Sequence, residues 1–112
     1  LLTESMLTAR SWGVEAHVLA SLTNLLPADD WERLAAYMIS RSLEHGTRRA
    51  EEMREAAATV AAAGVSPVMS EATARRQDWA AAHHDAAAES SLAALLDAIR
   101  VRLPGHDQKG ID

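Results

Sequence analysis

Two arginines, two glutamates and a histidine crowd together in the run His45-Gly46-Thr47-Arg48-Arg49-Ala50-Glu51-Glu52. Guanidiniums at the start of a helix, beside the unbonded N–H groups of its first turn, suit a ligand carboxylate or phosphate. The arginine fork matches an anion's oxygens, and the helix end adds partial positive charge. Acids one turn further on would hold the arginines in place or accept hydrogen bonds from ligand hydroxyls. Arg48, Arg49, Glu52 and His45 are therefore the candidate substrate-binding residues. The competing reading is an exposed face laced by Arg48–Glu51 and Arg49–Glu52 pairs at i,i+3, each contributing about 0.2–0.5 kcal/mol.

No other cluster matches this one for chemistry. His83-His84-Asp85 invites a metal, but adjacent histidines on a helix point about 100° apart, and i,i+4 is the spacing that ligates one ion. Trp31 and Trp79 fall on apolar stripes and are expected in the core, whereas Trp12, next to Gly13, belongs at an edge or interface. No Ser–His–acid arrangement, GxGxxG fingerprint or phosphate-binding loop is present. The sequence thus assigns no catalytic, cofactor-binding or metal-ligating residue in this chain.

Composition narrows the partners. The chain has 112 residues and a formal net charge of -5, without the basic footprint that nucleic-acid binding needs. It has no cysteine, which removes disulfides and thiolate zinc sites and fits a cytoplasmic location. No apolar run approaches the roughly 18 residues of a membrane span, and Leu1-Leu2-Thr3-Glu4 lacks the basic start of a signal peptide. Hydrophobic residues make up 48%, much of it alanine. Alanine buries little area, so such a core needs close helix approach or a second copy. The chain opens without methionine inside a helical pattern, which points to a longer polypeptide.

The periodicity is helical throughout and predicts an all-α domain of five to six helices over residues 1–103, followed by a flexible tail at 104–112. Leu2, Met6, Leu7 and Ala9 share a face of a helix that Gly13 stops. A second helix spans residues 14–26, with Val18, Leu22 and Leu25 inward, before Pro27. Asp29 or Asp30 caps a third, whose stripe of Trp31, Leu34, Ala35, Met38 and Ser42, widened by Ile39 and Leu43, implies burial on two sides. Gly46 predicts a break at residues 44–47, with Thr47 as the next cap. A fourth helix then runs from Arg48 to Ala63, stopped by Gly64, with Met53, Ala56 or Ala57, and Val60 inward. Ser66 is expected to cap a fifth helix with Pro67 at its first position, carrying Val68, Met69, Ala72, Arg76 and Trp79 inward to His83. A connection follows around residues 85–89, and Ser90 or Ser91 opens a last helix with a stripe of Leu92, Leu95, Leu96 and Ile99.

The run Glu44-His45-Gly46-Thr47-Arg48-Arg49-Ala50-Glu51-Glu52-Met53-Arg54-Glu55, with Ala63-Gly64-Val65-Ser66-Pro67-Val68-Met69 and Ala72-Thr73-Ala74-Arg75-Arg76-Gln77-Asp78-Trp79, resembles a C-terminal helical domain of NAD(P)-binding dehydrogenases. These enzymes form the β-hydroxyacid dehydrogenase superfamily, which includes the 6-phosphogluconate and 3-hydroxyisobutyrate dehydrogenases. The similar subgroup ends in a domain of unknown function. The opening Leu2-Thr3-Glu4-Ser5-Met6-Leu7-Thr8-Ala9-Arg10-Ser11-Trp12-Gly13-Val14 resembles the segment leaving the superfamily's interdomain helix, and the likeness extends over residues 1–102. It implies a 6-phosphogluconate dehydrogenase C-terminal-like fold, a homodimer, and a wall of a cleft for a small hydroxy-acid-like substrate. Relatives place a Lys-Asp pair where Glu51 and Glu52 stand. Glu52 would match the acid and Glu51 replaces the lysine, leaving Arg48 or Arg49 to supply the positive charge. The resemblance puts the catalytic lysine, and the site for NAD or NADP, upstream of Leu1, so that this chain alone would not turn over substrate.

Two other functions compete with that of a substrate and dimerisation domain. A standalone, self-associating helical module would dock through Leu92, Leu95 or Leu96. A small-anion-binding module would centre on Arg48 and Arg49.

Overall fold

The computed structural model describes residues 1–105, so all but the first two residues of the tail expected at 104–112 lie outside the described residues. Six α-helices follow in order: α1 Leu2–Ser11, α2 Glu15–Leu25, α3 Trp31–Glu44, α4 Gly46–Ala62, α5 Val68–Ala81 and α6 Leu92–Arg100, with a 3-10 turn at His84–Ala88 in the expected connection. There is no strand among the described residues, and the all-α expectation holds. The contacts separate into two units: Leu1–Ser40 with the described residues from Ala88 onward, and Arg41–Ala87.

The first unit is built on large aliphatic side chains. Leu92, Leu95, Leu96 and Ile99 recur at helical spacing, and all four are buried, as are Met6, Leu7 and Ala9 of α1 and Ala35 and Ile39 of α3. Each large side chain removed from water in this way contributes about 1.5–3 kcal/mol. Helix α1 packs on both α2 and α6. The turns follow local chemistry. Ser91 opens α6 by accepting the Ala94 N–H at 3.1 Å, and Asp30 opens α3 by accepting that of Arg33 at 3.1 Å. Gly13, at φ +70°, ends α1 and lets the Val14 N–H reach back to the Ala9 carbonyl at 2.9 Å.

Two stripes in this unit differ from expectation. Leu25 is 75% exposed, and α2 contains no buried residue. On α3, Ala35 and Ile39 face inward while Met38 is largely exposed and Trp31 half-buried, so the helix is not buried on two sides. Trp31 instead anchors the start of α3 by donating its indole N–H to the Leu26 carbonyl at 2.6 Å. The inner arc, Ala35, Ile39, Ser42 and Leu43, is rotated by roughly 60° from the predicted stripe. The burial of Leu92, Leu95 and Leu96 also corrects the self-associating reading: they form the interior and offer no docking surface.

The second unit is dominated by an antiparallel hairpin of α4 and α5. Its seam is made of small residues, with Gly46, Ala50 and Ala57 buried on α4 and Ala74 and Ala80 on α5. The break expected at residues 44–47 is present between α3 and α4. The break is the single residue His45, which stands where Thr47 was expected to cap, and Gly46 begins α4. A Cβ on Gly46 would lie 2.5 Å from the Gln77 carbonyl oxygen and 2.8 Å from the Ala81 nitrogen. Glycine is there because two backbones meet.

The hairpin turns at Gly64, whose φ of +84° matches its expected stop. Beyond it, Pro67 occupies the cap position with no side-chain cap, so Ser66 does not play the role predicted for it. Val68, Met69 and Ala72, expected inward, are exposed. A seam of Gly and Ala leaves no room for larger side chains, which are displaced to the outside. Arg54 of α4 and Asp78 of α5 pair across the hairpin. Further along α5, the Trp79 and His83 rings lie 4.4 Å apart, and the Arg76 guanidinium sits 4.7 Å from the centre of the Trp79 ring.

Candidate functional site

At 100° per residue, His45, Arg48, Arg49 and Glu52 fall within about 100° of one face of α4. The same rotation sends Glu51 away from them and puts Gly46, Ala50 and Ala57 on the seam with α5. The four candidates therefore share a face, His45 at the cap of α4 and the other three on its first two turns.

The charges on that face are unequally engaged. Arg48 Nε lies 3.9 Å from Glu52 Oε1, both side chains largely exposed, so the pair forms at i,i+4 instead of the i,i+3 pairing with Glu51. In such solvent it contributes only a few tenths of a kcal/mol, and a ligand could displace it at little cost. Arg49 is half-buried and has no ion-pair partner among the described residues. It is the available cation of the group. Its own N–H is committed to the helix, donating to the His45 carbonyl at 2.9 Å.

His45 sits at the junction. Its Nε2 lies 3.7 Å from Glu44 Oε2, which in turn lies 3.7 Å from Arg41 Nη1. His45 Nε2 is buried and makes no hydrogen bond. A single residue separates α3 from α4, so the C-terminal carbonyls of α3 and the Glu44 carboxylate adjoin the start of α4. Their negative charge offsets the positive helix end. Whatever anion affinity this face has must come from guanidiniums more than from helix N–H groups, which refines the sequence argument.

Sequence reasoning missed a second constellation, in the first unit. Arg10 holds Asp97 through two parallel hydrogen bonds, Nε to Oδ1 at 3.1 Å and Nη2 to Oδ2 at 3.0 Å, while its Nη1 donates to Glu15 Oε1 at 2.6 Å. Arg100 Nη1 adds a 3.3 Å contact to Asp97 Oδ1. The Arg10 hydrogen bonds hold the Asp97 carboxyl below its ordinary range, and a bond to its own backbone N–H, followed by Arg10, lowers that of Glu15. The two carboxylates raise Arg10 in return. This network ties α1 to α6 and to the start of α2. With Arg10 and Asp97 far apart in the sequence, only the common helical spacing of each could have hinted at it.

Other chemistry finds less support. A cleft of about 570 Å³ lies between α3 and the start of α6, lined by residues that include Asp30, Arg33, Tyr37 and Ser91. No group of three or more His, Asp or Glu side chains suited to a metal occurs among the described residues, and His83 is buried against Trp79. Among the described residues no strand leads into a glycine-rich turn: Gly13 and Gly64 terminate helices, and Gly46 serves the hairpin seam. Among the described residues no helix is long and apolar enough to cross a membrane.

A helical hairpin sealed by glycine and alanine, with one charged face on its first helix, defines a class of all-α module. Within that class the chain belongs to the family described as a domain of unknown function, DUF1932, whose profile matches residues 9–80. Such domains are found at the C-terminus of NAD(P)-dependent 3-hydroxyacid dehydrogenase-like proteins. The matched span includes the whole α4–α5 hairpin up to Ala80 and stops before α6. No curated protein and no solved structure matches the chain.

Proposed function

We propose that this chain supplies one wall of the substrate cleft and a dimerisation surface to an NAD(P)-dependent hydroxyacid-type dehydrogenase. The cofactor and the reacting lysine would come from a preceding domain of the same polypeptide. Family membership carries this reading, because the family occurs behind domains of that kind. The substrate would be a small hydroxy acid. Arg49, with no competing carboxylate, would receive its carboxylate group, Arg48 would add a second fork once released from Glu52, and Glu52 would accept a hydrogen bond from a substrate hydroxyl.

A second copy of the chain would meet the tip of the hairpin. Residues 56–70 contain no charged side chain, in a chain whose net charge is -5. Val65, Val68 and Met69 are 59%, 66% and 72% exposed there, beside the exposed Ala61, Ala62 and Ala63. Two copies meeting there would bring no like charges together. A standard stable interface covers roughly 800 Å² per partner, more than a hairpin tip of a few exposed side chains supplies, so this contact alone gives a weak dimer.

Kinetics of the intact polypeptide test the cleft. Arg49→Ala should raise KM for the hydroxy acid at least about tenfold while leaving the affinity for the dinucleotide unchanged. An unchanged KM would remove Arg49 from the substrate site. A reading frame that opens at Leu1 would end the dehydrogenase assignment altogether. If self-association then persisted, the chain would stand as a helical interaction module docking through the hairpin tip.

A further inference from the structure

Helices α1 and α6 leave between them a slot of about 170 Å³ that the proposed function does not use. Its apolar walls include Leu7, Trp12, Leu103 and Pro104, and Ser11 and Arg100 are polar members of the lining. Trp12 borders the slot while remaining 71% exposed, which gives a large flat ring a solvent-facing edge beside a cavity. Arg100 contrasts with it, since its side chain is only 15% exposed.

Charge is unevenly distributed at this point. Arg100 makes a single 3.3 Å contact, to Asp97 Oδ1, while Arg10 already grips both oxygens of that carboxylate. A guanidinium has five N–H donors, and those of Arg100 beyond that contact have no partner among the described residues. A cation sheltered from water, weakly neutralised and set in an apolar lining attracts an anion that carries an apolar body. The volume limits that body. It is well below the ~300–1,000 Å³ of sites for drug-sized ligands, so a molecule of roughly ten non-hydrogen atoms fits and a nucleotide does not.

We propose that the α1–α6 slot binds a small aromatic carboxylate. The ring lies against Leu7, Leu103 and Trp12, and the carboxylate is held by Arg100 with the Ser11 hydroxyl as a further donor. This site is separate from the Arg48–Glu52 face, belongs to the other unit, and does not depend on the dehydrogenase reading.

A titration of the isotope-labelled 112-residue chain, followed by NMR at the Thr8, Ser11 and Leu103 amides and the Trp12 indole N–H, tests it with phenylacetate as the probe. Phenylacetate should shift these signals with a Kd of about 1 mM, the range expected for a ligand of that size. Benzyl alcohol, which lacks the charge, and acetate, which lacks the ring, should bind at least about tenfold more weakly. Ser11→Leu fills the slot without touching the Arg10–Asp97–Arg100 contacts and should abolish the shifts. Arg100→Gln should reduce phenylacetate to the level of benzyl alcohol. Equal binding of phenylacetate and benzyl alcohol would overturn the role of Arg100, using the unaltered chain alone. Shifts that survive in Ser11→Leu, or no shifts at about 10 mM phenylacetate, would overturn the slot as a site.

Discussion

In the unit formed by α1, α2, α6 and most of α3, the interior consists of long aliphatic side chains: Met6, Ile39, Leu95, Leu96 and Ile99 are essentially inaccessible. The α4–α5 hairpin closes instead on Gly46, Ala50, Ala57, Ala74 and Ala80. The first mode is driven by apolar area removed from water and tolerates some change of shape. The second gains little area per residue and depends on backbones approaching closely, so it tolerates almost no added volume. One chain thus offers opposite sensitivities, to cavities in one unit and to overpacking in the other.

The contrast predicts opposite responses to substitution. The largest effect should come from Leu96→Ala in the aliphatic interior, with a loss of about 2–5 kcal/mol in urea unfolding. Gly46→Ala should follow at about 1–3 kcal/mol, because its new methyl meets backbone atoms, which cannot move aside as a side-chain end would. In an ordinary exposed helix the same change stabilises by roughly 1 kcal/mol. A stabilised Gly46→Ala protein would therefore show that the hairpin is not sealed by backbone contact, and the comparison would fail.

The difference also explains what was legible in the sequence. Leu92, Leu95, Leu96 and Ile99 announce their face because large apolar residues alternate with smaller or polar ones, and Asp30, Ser91, Gly13 and Gly64 act through local chemistry that the sequence displays. Along α5 alanine occurs on every side, so periodicity carries no face, and Val68 and Met69 drew the stripe to the solvent side. Gly46 reads as a helix breaker until Gln77 and Ala81 are seen against it. In the candidate site the shared face of His45, Arg48, Arg49 and Glu52 follows from 3.6-residue geometry alone. That Arg48 selects Glu52 over Glu51, and that Glu44 adjoins the start of α4, requires coordinates. The Arg10–Asp97 pair joins residues with no local relation at all.

A smaller effect separates the units electrostatically. Arg10→Ala should cost about 1–2 kcal/mol, since charge-assisted hydrogen bonds are lost but the groups remain partly solvated. Asp97 and Glu15 sit below their ordinary values of 3.8 and 4.5 in the folded protein. The unfolded chain takes up their protons first as pH falls. Their contribution is thus complete above about pH 5 and is lost as the pH drops through 4 and below. Unfolding midpoints measured from pH 6 to pH 3 should show this loss in the parent protein and a flatter profile in Arg10→Ala. Parallel profiles would mean that Arg10 does not hold these carboxylates.

The smallest effect on stability should come from the outer side of the hairpin. Val68 and Met69 lie away from the seam, so the double substitution Val68→Ser and Met69→Ser should change unfolding free energy by no more than about 0.5 kcal/mol. If the tip meets a second copy, the same substitutions should nonetheless weaken self-association measured by sedimentation equilibrium. The two readouts separate what the hairpin needs to fold from what its surface does once folded. Association lost with stability intact assigns Val68 and Met69 to an interface. Association unchanged removes the tip from it, and a large loss of stability would place these side chains in the interior, against the small-residue seam.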